Sequence, residues 1–208
     1  MQIIAHRGIW HKHCEKNFPV AFHRSFDLGF GTETDVRDIA GELVISHDMP
    51  KGGEMTVNEL LAIMGGRNLT LAMNVKADGL VDKLASVFNQ YGHTNWFAFD
   101  MAIPDLRSYT HSAVDAFTRL SDIEPFAVSM KECSGVWLDS FVSEWYQNSF
   151  ILDLIAKGKT VCVVSSELHG RDELPLWTQL DKIKGEDKLM LCTDKPEYAL
   201  EFFEDQGK

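Results

Sequence analysis

Positive charge is scarce in this 208-residue chain. Its 20 Lys and Arg face 31 Asp and Glu, for a formal net charge of −11 and a pI of about 5.1. No basic run breaks that excess, which argues against an extended nucleic-acid groove or a face that tracks anionic lipid. Cysteines are few as well. None of Cys14, Cys133, Cys162 and Cys192 forms a CxxC pair, and the last two sit in the apolar runs VCVV and LMLC. Buried reduced thiols are therefore expected rather than a disulfide framework. Long hydrophobic runs are missing: nothing approaches the roughly 20 apolar residues of a membrane span. The first residues enter a short strand, QIIAH, without the basic and apolar regions of a leader. A soluble, cytoplasmic protein is the expectation. Internal repeats, low-complexity tracts and long linkers are also absent.

What the chain does have is a composition suited to a packed core, 45% hydrophobic and 25% charged. Short apolar runs alternate with amphipathic stretches from end to end, the pattern of a parallel α/β fold. Strands are predicted at residues 2–6, 31–36, 70–75, 96–100, 116–120, 135–139, 160–164 and 188–192, with a short extra one at 42–46. A helix is expected from Pro19 to Leu28, with proline in its first turn and Gly29 behind it. Thr56-Val-Asn-Glu59 is a capping-box pattern opening a helix that Gly65-Gly66 halts. Apolar stripes at Leu80, Leu84, Val87 and Phe88, and at Phe150, Ile151, Leu154 and Ile155, mark two more, and Pro196 precedes a last helix. Eight strand–helix alternations fit a compact, single-domain (β/α)8 TIM barrel over residues 1–208 better than an open sheet.

In such a fold chemistry collects where strands end. Those ends carry His6-Arg7-Gly8, Glu33 and Asp35, His47-Asp48, Asn74 and Lys76, Asp100, Arg119, Asp139, and Thr193-Asp194. Glu33 and Asp35 are two apart on a strand and so share a face. Two carboxylates held together repel unless a positive charge lies between them, and a hard divalent cation with a preference for oxygen meets that need. His6 and His47 bracket the pair and supply one proton acceptor and one donor. Arg7 offers a planar donor fork suited to phosphate. His11, His13 and Cys14 lack the spacing of a structural zinc site and are expected to be solvated.

The runs IAHRG, KNFPVAF, ETDV, ELVISHD, MNVK and CTDKPE, in that order over residues 4–197, resemble the glycerophosphodiester phosphodiesterase family. Its pattern is HRG, an ENT-x-x-AF helix start, ExD, HD, IEIK and a closing TDxP. The resemblance implies a TIM barrel and a phosphodiester hydrolase for a small glycerophosphodiester-like substrate. It implies His6 and His47 as the acid/base pair, Arg7 and Lys76 as phosphate-binding cations, and Glu33 and Asp35 as ligands to one Mg2+ or Ca2+. Three departures stand out. Asn74 replaces the family's third, carboxylate ligand, with Asp100 as a candidate substitute. Lys16 replaces the glutamate of ENT, leaving only Asn17 in register. Just 26 residues separate His47 from Asn74, where family enzymes carry an inserted subdomain, so a more open mouth and a bulkier alcohol group are expected. Release of a cyclic phosphate, as in related barrel phospholipases, and a phosphate-binding pseudo-enzyme weakened by Asn74 remain open alternatives.

Overall fold

A computed structural model describes residues 1–205. Nine strands and seven α-helices follow one another as β1 (Gln2–His6), α1 (Pro19–Asp27), β2 (Gly31–Ile39), β3 (Glu42–Ile45), α2 (Val57–Met64), β4 (Leu71–Val75), α3 (Val81–Gln90), β5 (Trp96–Phe99), α4 (Ile103–Thr110), β6 (Phe117–Leu120), β7 (Gly135–Leu138), α5 (Asn148–Ala156), β8 (Thr160–Val164), α6 (Leu174–Asp181), β9 (Leu189–Thr193) and α7 (Pro196–Asp205). This is the strand–helix alternation of a compact (β/α)8 barrel, with β3 as a short antiparallel addition to β2. Every predicted strand is present. Two helices that the periodicity did not flag, α4 and α6, extend the alternation, each resting its core face on only three buried residues, but the eighth expected helix is missing: among the described residues β6 runs to β7 through turns alone, so eight parallel strands carry seven helices.

The chain divides into two compact units, Ala5–Ala116 and Met1–Ile4 with the chain from Phe117. In the first, β2 pairs with β4 and β4 with β5, all parallel, with Asp35 beside Asn74 and Asn74 beside Phe99. Its core holds Phe22 and Phe26 of α1, Leu60 and Met64 of α2, and Leu84 and Phe88 of α3, all essentially buried. Helix α2 starts as its sequence dictates. Thr56 Oγ1 accepts from the Glu59 amide, the Glu59 carboxylate accepts from the Thr56 amide, and Gly65 closes the helix at φ 61°. In the second unit β6 to β9 pair in parallel order around Val136, Leu138, Val161, Leu191 and the fully buried Trp177. Cys133, Cys162 and Cys192 are buried and all four cysteines are free, as expected from the apolar runs. Among the described residues no helix is long and apolar enough to cross a membrane.

One glycine is fixed by space as well as by conformation. Gly8 has φ 78°, and a Cβ there would lie 2.7 Å from the Ala21 carbonyl carbon and 2.8 Å from its Cβ. Gly8→Ala is therefore expected to cost about 2–4 kcal/mol, from left-handed strain plus overpacking against the α1 backbone. For a chain of this size that lowers the melting temperature by roughly 5–15 °C. An unchanged thermal transition would show that the loop after β1 is free to relax.

Candidate functional site

The candidate site lies entirely in the first unit, at the ends of β1, β3 and β4 and within β2, which continues past the expected end at residue 36 to Ile39. Strand alternation sends Glu33 and Asp35 of β2 to one face, where 1% and 0% of the residue surface is exposed. The loop after β1 turns sharply through two left-handed residues, Arg7 at φ 60° and Gly8 at φ 78°. Thr32 holds that turn: its hydroxyl donates to the Ala5 carbonyl (2.9 Å) and accepts from the Gly8 amide (2.9 Å). The Arg7 amide donates to the Glu33 carbonyl at 2.9 Å. Arg7 Nε consequently lies 2.9 Å from Asp35 Oδ2, an ion pair whose alignment leaves the Nε–H without a hydrogen-bond acceptor. Lys76, one residue past β4, brings Nζ to 3.6 Å from Asp35 Oδ1.

His6 and Glu33 form the second pairing, with Nε2 and Oε2 3.7 Å apart. Burial first, then the neighbouring Asp35 carboxylate, push the Glu33 carboxyl up to about 8, against the opposing pull of Arg7, Lys76 and a hydrogen bond from Asn74. His47, by contrast, is exposed. Its Nδ1–H donates to Asp48 Oδ1 at 2.8 Å, and that bond holds the Asp48 carboxyl below the usual carboxylate range. The link from His47 to the rest is a cavity of about 920 Å3 whose walls include Arg7, Asn17, Ser46 and His47.

Asn17 has a larger part than its place in a loop implied. At φ 61° it donates from Nδ2 to Asp35 Oδ2 (2.9 Å), while Oδ1 accepts from the Thr34 hydroxyl (2.8 Å). Thr34 thereby fixes the amide orientation, and the amide fixes Asp35. The sequence signal for this was a single asparagine in register with the family's ENT. Lys16, in place of the glutamate, lies with Nζ 4.3 Å from the centroid of the Trp10 ring.

Three buried oxygens, Glu33 Oε2, Asp35 Oδ1 and Asn74 Oδ1, have no hydrogen-bond donor. Unmet acceptors of this kind, two of them from carboxylates, fit the oxygen-only preference of a hard divalent ion. Among the described residues no cluster of three or more His, Cys, Asp or Glu could hold a metal. Asp100 follows directly on β5 at φ 64°. His11, His13 and Cys14 are exposed.

The remaining sequence candidates belong to the second unit and have work there. Arg119 pairs with Glu124 at 2.6 Å. Asp139 accepts from His169 Nε2 (2.7 Å) and from the Ser140 amide (2.7 Å). Glu167 accepts from the Ser165 and Thr193 hydroxyls and from the Asp194 amide (3.0 Å), tying the end of β9 to the segment after β8. The Asp139–His169 pair had no counterpart in the sequence reading, because 30 residues separate its members.

No protein-family model matches the sequence, and no curated protein does. Solved structures do match it over nearly its whole length. A glycerophosphodiester phosphodiesterase from Agrobacterium tumefaciens superposes with a TM-score of 0.72 at 17% identity, covering 100% of both chains. A phosphodiesterase from Oleispira antarctica, in complex with the product sn-glycerol-3-phosphate, gives 0.72 at 16% identity over 98% of this chain and 97% of its own. A glycerophosphoryl diester phosphodiesterase from Parabacteroides distasonis gives 0.64 at 11% identity over 99% and 86%. The fold is that of these enzymes.

Proposed function

We propose that this chain is a phosphodiester hydrolase for a glycerophosphodiester-like substrate, working with one divalent cation, Mg2+ or Ca2+. The observation that carries the reading is the convergence of Arg7 and Lys76 on one buried carboxylate, Asp35, with His6 held against its partner Glu33. The sequence runs shared with the phosphodiesterase family and the matching fold of three phosphodiesterases support it. So does the product held by the Oleispira enzyme, sn-glycerol-3-phosphate, a phosphate monoester of the kind such a hydrolysis releases.

Arg7 and Lys76 are the groups that bind the phosphate. Asp35, itself fixed by Asn17, holds the guanidinium and ammonium in place, so that the fixed donors meet the phosphoryl oxygens as negative charge accumulates. His47 donates from Nδ1 to Asp48, which leaves Nε2 as the basic nitrogen for a proton on the attacking or leaving oxygen. His6 is the complementary proton carrier on the Glu33 side. Glu33, Asp35 and Asn74 would hold the cation, whose chemistry is to neutralise phosphoryl charge as a Lewis acid. Because Asn74 brings an oxygen without a charge, affinity for the cation is expected to be weaker than with three carboxylates.

The test is hydrolysis of glycerophosphodiesters with Mg2+, Ca2+ or Mn2+ and with EDTA, products followed by phosphorus NMR. Turnover to a phosphate monoester that EDTA abolishes is expected, and His6→Ala and His47→Ala should each lower it by at least about 100-fold while the circular dichroism spectrum is unchanged. Full activity in either variant would refute the assigned proton carriers. A cyclic phosphate as the end product would replace hydrolysis by intramolecular transfer. Binding without turnover in every metal would leave a phosphate-binding protein.

A further inference from the structure

The 920 Å3 cavity is large for the alcohol of a small phosphodiester, and part of its wall is an apolar surface that a polyol does not need. Beyond Arg7, Asn17 and His47 it is lined by Phe18 ahead of α1, Ile45 at the end of β3, Met55 in the following loop, and Ala62 and Ile63 of α2. Each of its carboxylates makes a local hydrogen bond. Glu54 accepts from the Lys51 (2.6 Å) and Gly52 (2.9 Å) amides, Glu59 closes the α2 capping box, and Asp48 accepts from His47. With His13, Lys16 and Ser46 they complete the polar part of the lining, and the apolar residues make up a part that a hydroxyl-rich group would leave without a partner. Nor is there an aromatic cage for a quaternary ammonium: Phe18 is the one Phe, Tyr or Trp among the described lining residues, and Lys16 lies over the nearby Trp10 ring.

We propose that this cavity receives an alkyl or acyl chain, making the preferred substrate a single-chain lipid phosphodiester whose phosphate sits at Arg7 and whose tail lies along Phe18, Ile45, Met55 and Ile63. The connection from β3 to α2 is only residues 46–56, which leaves the cavity open to a long substituent. Cleavage of such a diester rests on the hydrolase reading above, but recognition of the chain does not.

Isothermal titration with inert monoalkyl phosphates from butyl to decyl, below their micelle concentrations, separates the two. Full burial of a methylene is worth about 0.8 kcal/mol, roughly fourfold in Kd. In an open cleft about half of that is expected, so Kd should fall roughly twofold per methylene, with inorganic phosphate as the chainless reference. Ile63→Asp places a charge in the wall and Ala62→Trp fills the cavity from an exposed helix position. Both should flatten the dependence while thermal melts stay cooperative. A Kd independent of chain length in the wild type, or the same slope in both variants, overturns the proposal. A steep slope in a protein that cleaves no phosphodiester would uphold the cavity assignment and sink the hydrolase reading instead.

Discussion

Glu33→Gln is expected to make the metal-free protein more stable and inactive at once. In the fold the Glu33 carboxyl is 1% exposed, and burial together with Asp35 raises it from 4.5 to about 8. Between those two values the unfolded chain has released a proton that the folded chain retains, so the folded state binds more protons and stability falls as pH rises. The group's contribution is intact below about pH 4.5 and is lost by the time pH passes 8. Gln keeps the shape without the charge and escapes this penalty, worth a few kcal/mol at pH 8–9. At 2–4 °C per kcal/mol for a chain of this size, its melting temperature should exceed the wild type's by roughly 5–10 °C at pH 9, and the gap should close near pH 5. Adding Mg2+ or Ca2+ should stabilise the wild type and leave the variant unmoved, because the cation offsets a charge that the variant lacks. Phosphodiester turnover should drop by about 1,000-fold or more, because the amide no longer brings the negative charge that would hold the divalent cation, and with the cation goes its neutralisation of the phosphoryl oxygens. Equal melting temperatures across that pH range would mean that Glu33 is not held protonated in the metal-free protein.

The elements that could be read from sequence are those with local signals. Most of the short strands announce themselves as apolar runs, and the ends of β1 and β4 carry His6, Asn74 and Lys76 where the barrel pattern puts them, whereas β2 runs on to Ile39 to pair with β3 and so holds Glu33 and Asp35 within the strand rather than at its end. The capping box at Thr56 and Glu59 and the proline-led α1 are likewise local. Helices α4 and α6 were not legible because eight residues with three buried positions give too short a stripe for a 3.6 period to stand out. The site divides along the same line. That Glu33 and Asp35 share a face follows from their spacing, but not that Asp35 takes Arg7 and Lys76 while Glu33 takes His6 and the Asn74 amide. That division depends on the left-handed turn at Arg7 and Gly8, and on Asn17 reaching across 18 residues to Asp35. His47 shows the same limit. Its position after β3 was legible, whereas its bond to Asp48 is a matter of side-chain torsion.

This unequal division predicts that the second carboxylate responds in the opposite sense. Asp35 is fully buried, accepts from Asn17 Nδ2 at 2.9 Å, and has Arg7 Nε at 2.9 Å and Lys76 Nζ at 3.6 Å. Asp35→Asn would leave two partly buried cations without their counter-charge and place an amide N–H where Asn17 or Arg7 already presents one. Breaking a buried pair by removing one partner costs about 3–5 kcal/mol, so the melting temperature should fall by roughly 6–20 °C. Activity should be lost as completely as in Glu33→Gln, since Arg7 and Lys76 no longer have a fixed position relative to the phosphate. The two variants would then be equally inactive while moving stability in opposite directions, which separates the charge that orders the site from the charge that strains it. The double variant adds a further constraint. With Asp35 neutral, one of the two causes raising Glu33 is gone, so Glu33→Gln should stabilise the Asp35→Asn background less than the wild type, with a coupling of about 0.5–3 kcal/mol. Strict additivity would mean that the carboxylates do not sense each other. A fall in stability for both single variants would mean that Glu33 and Asp35 are alike in being held by cations.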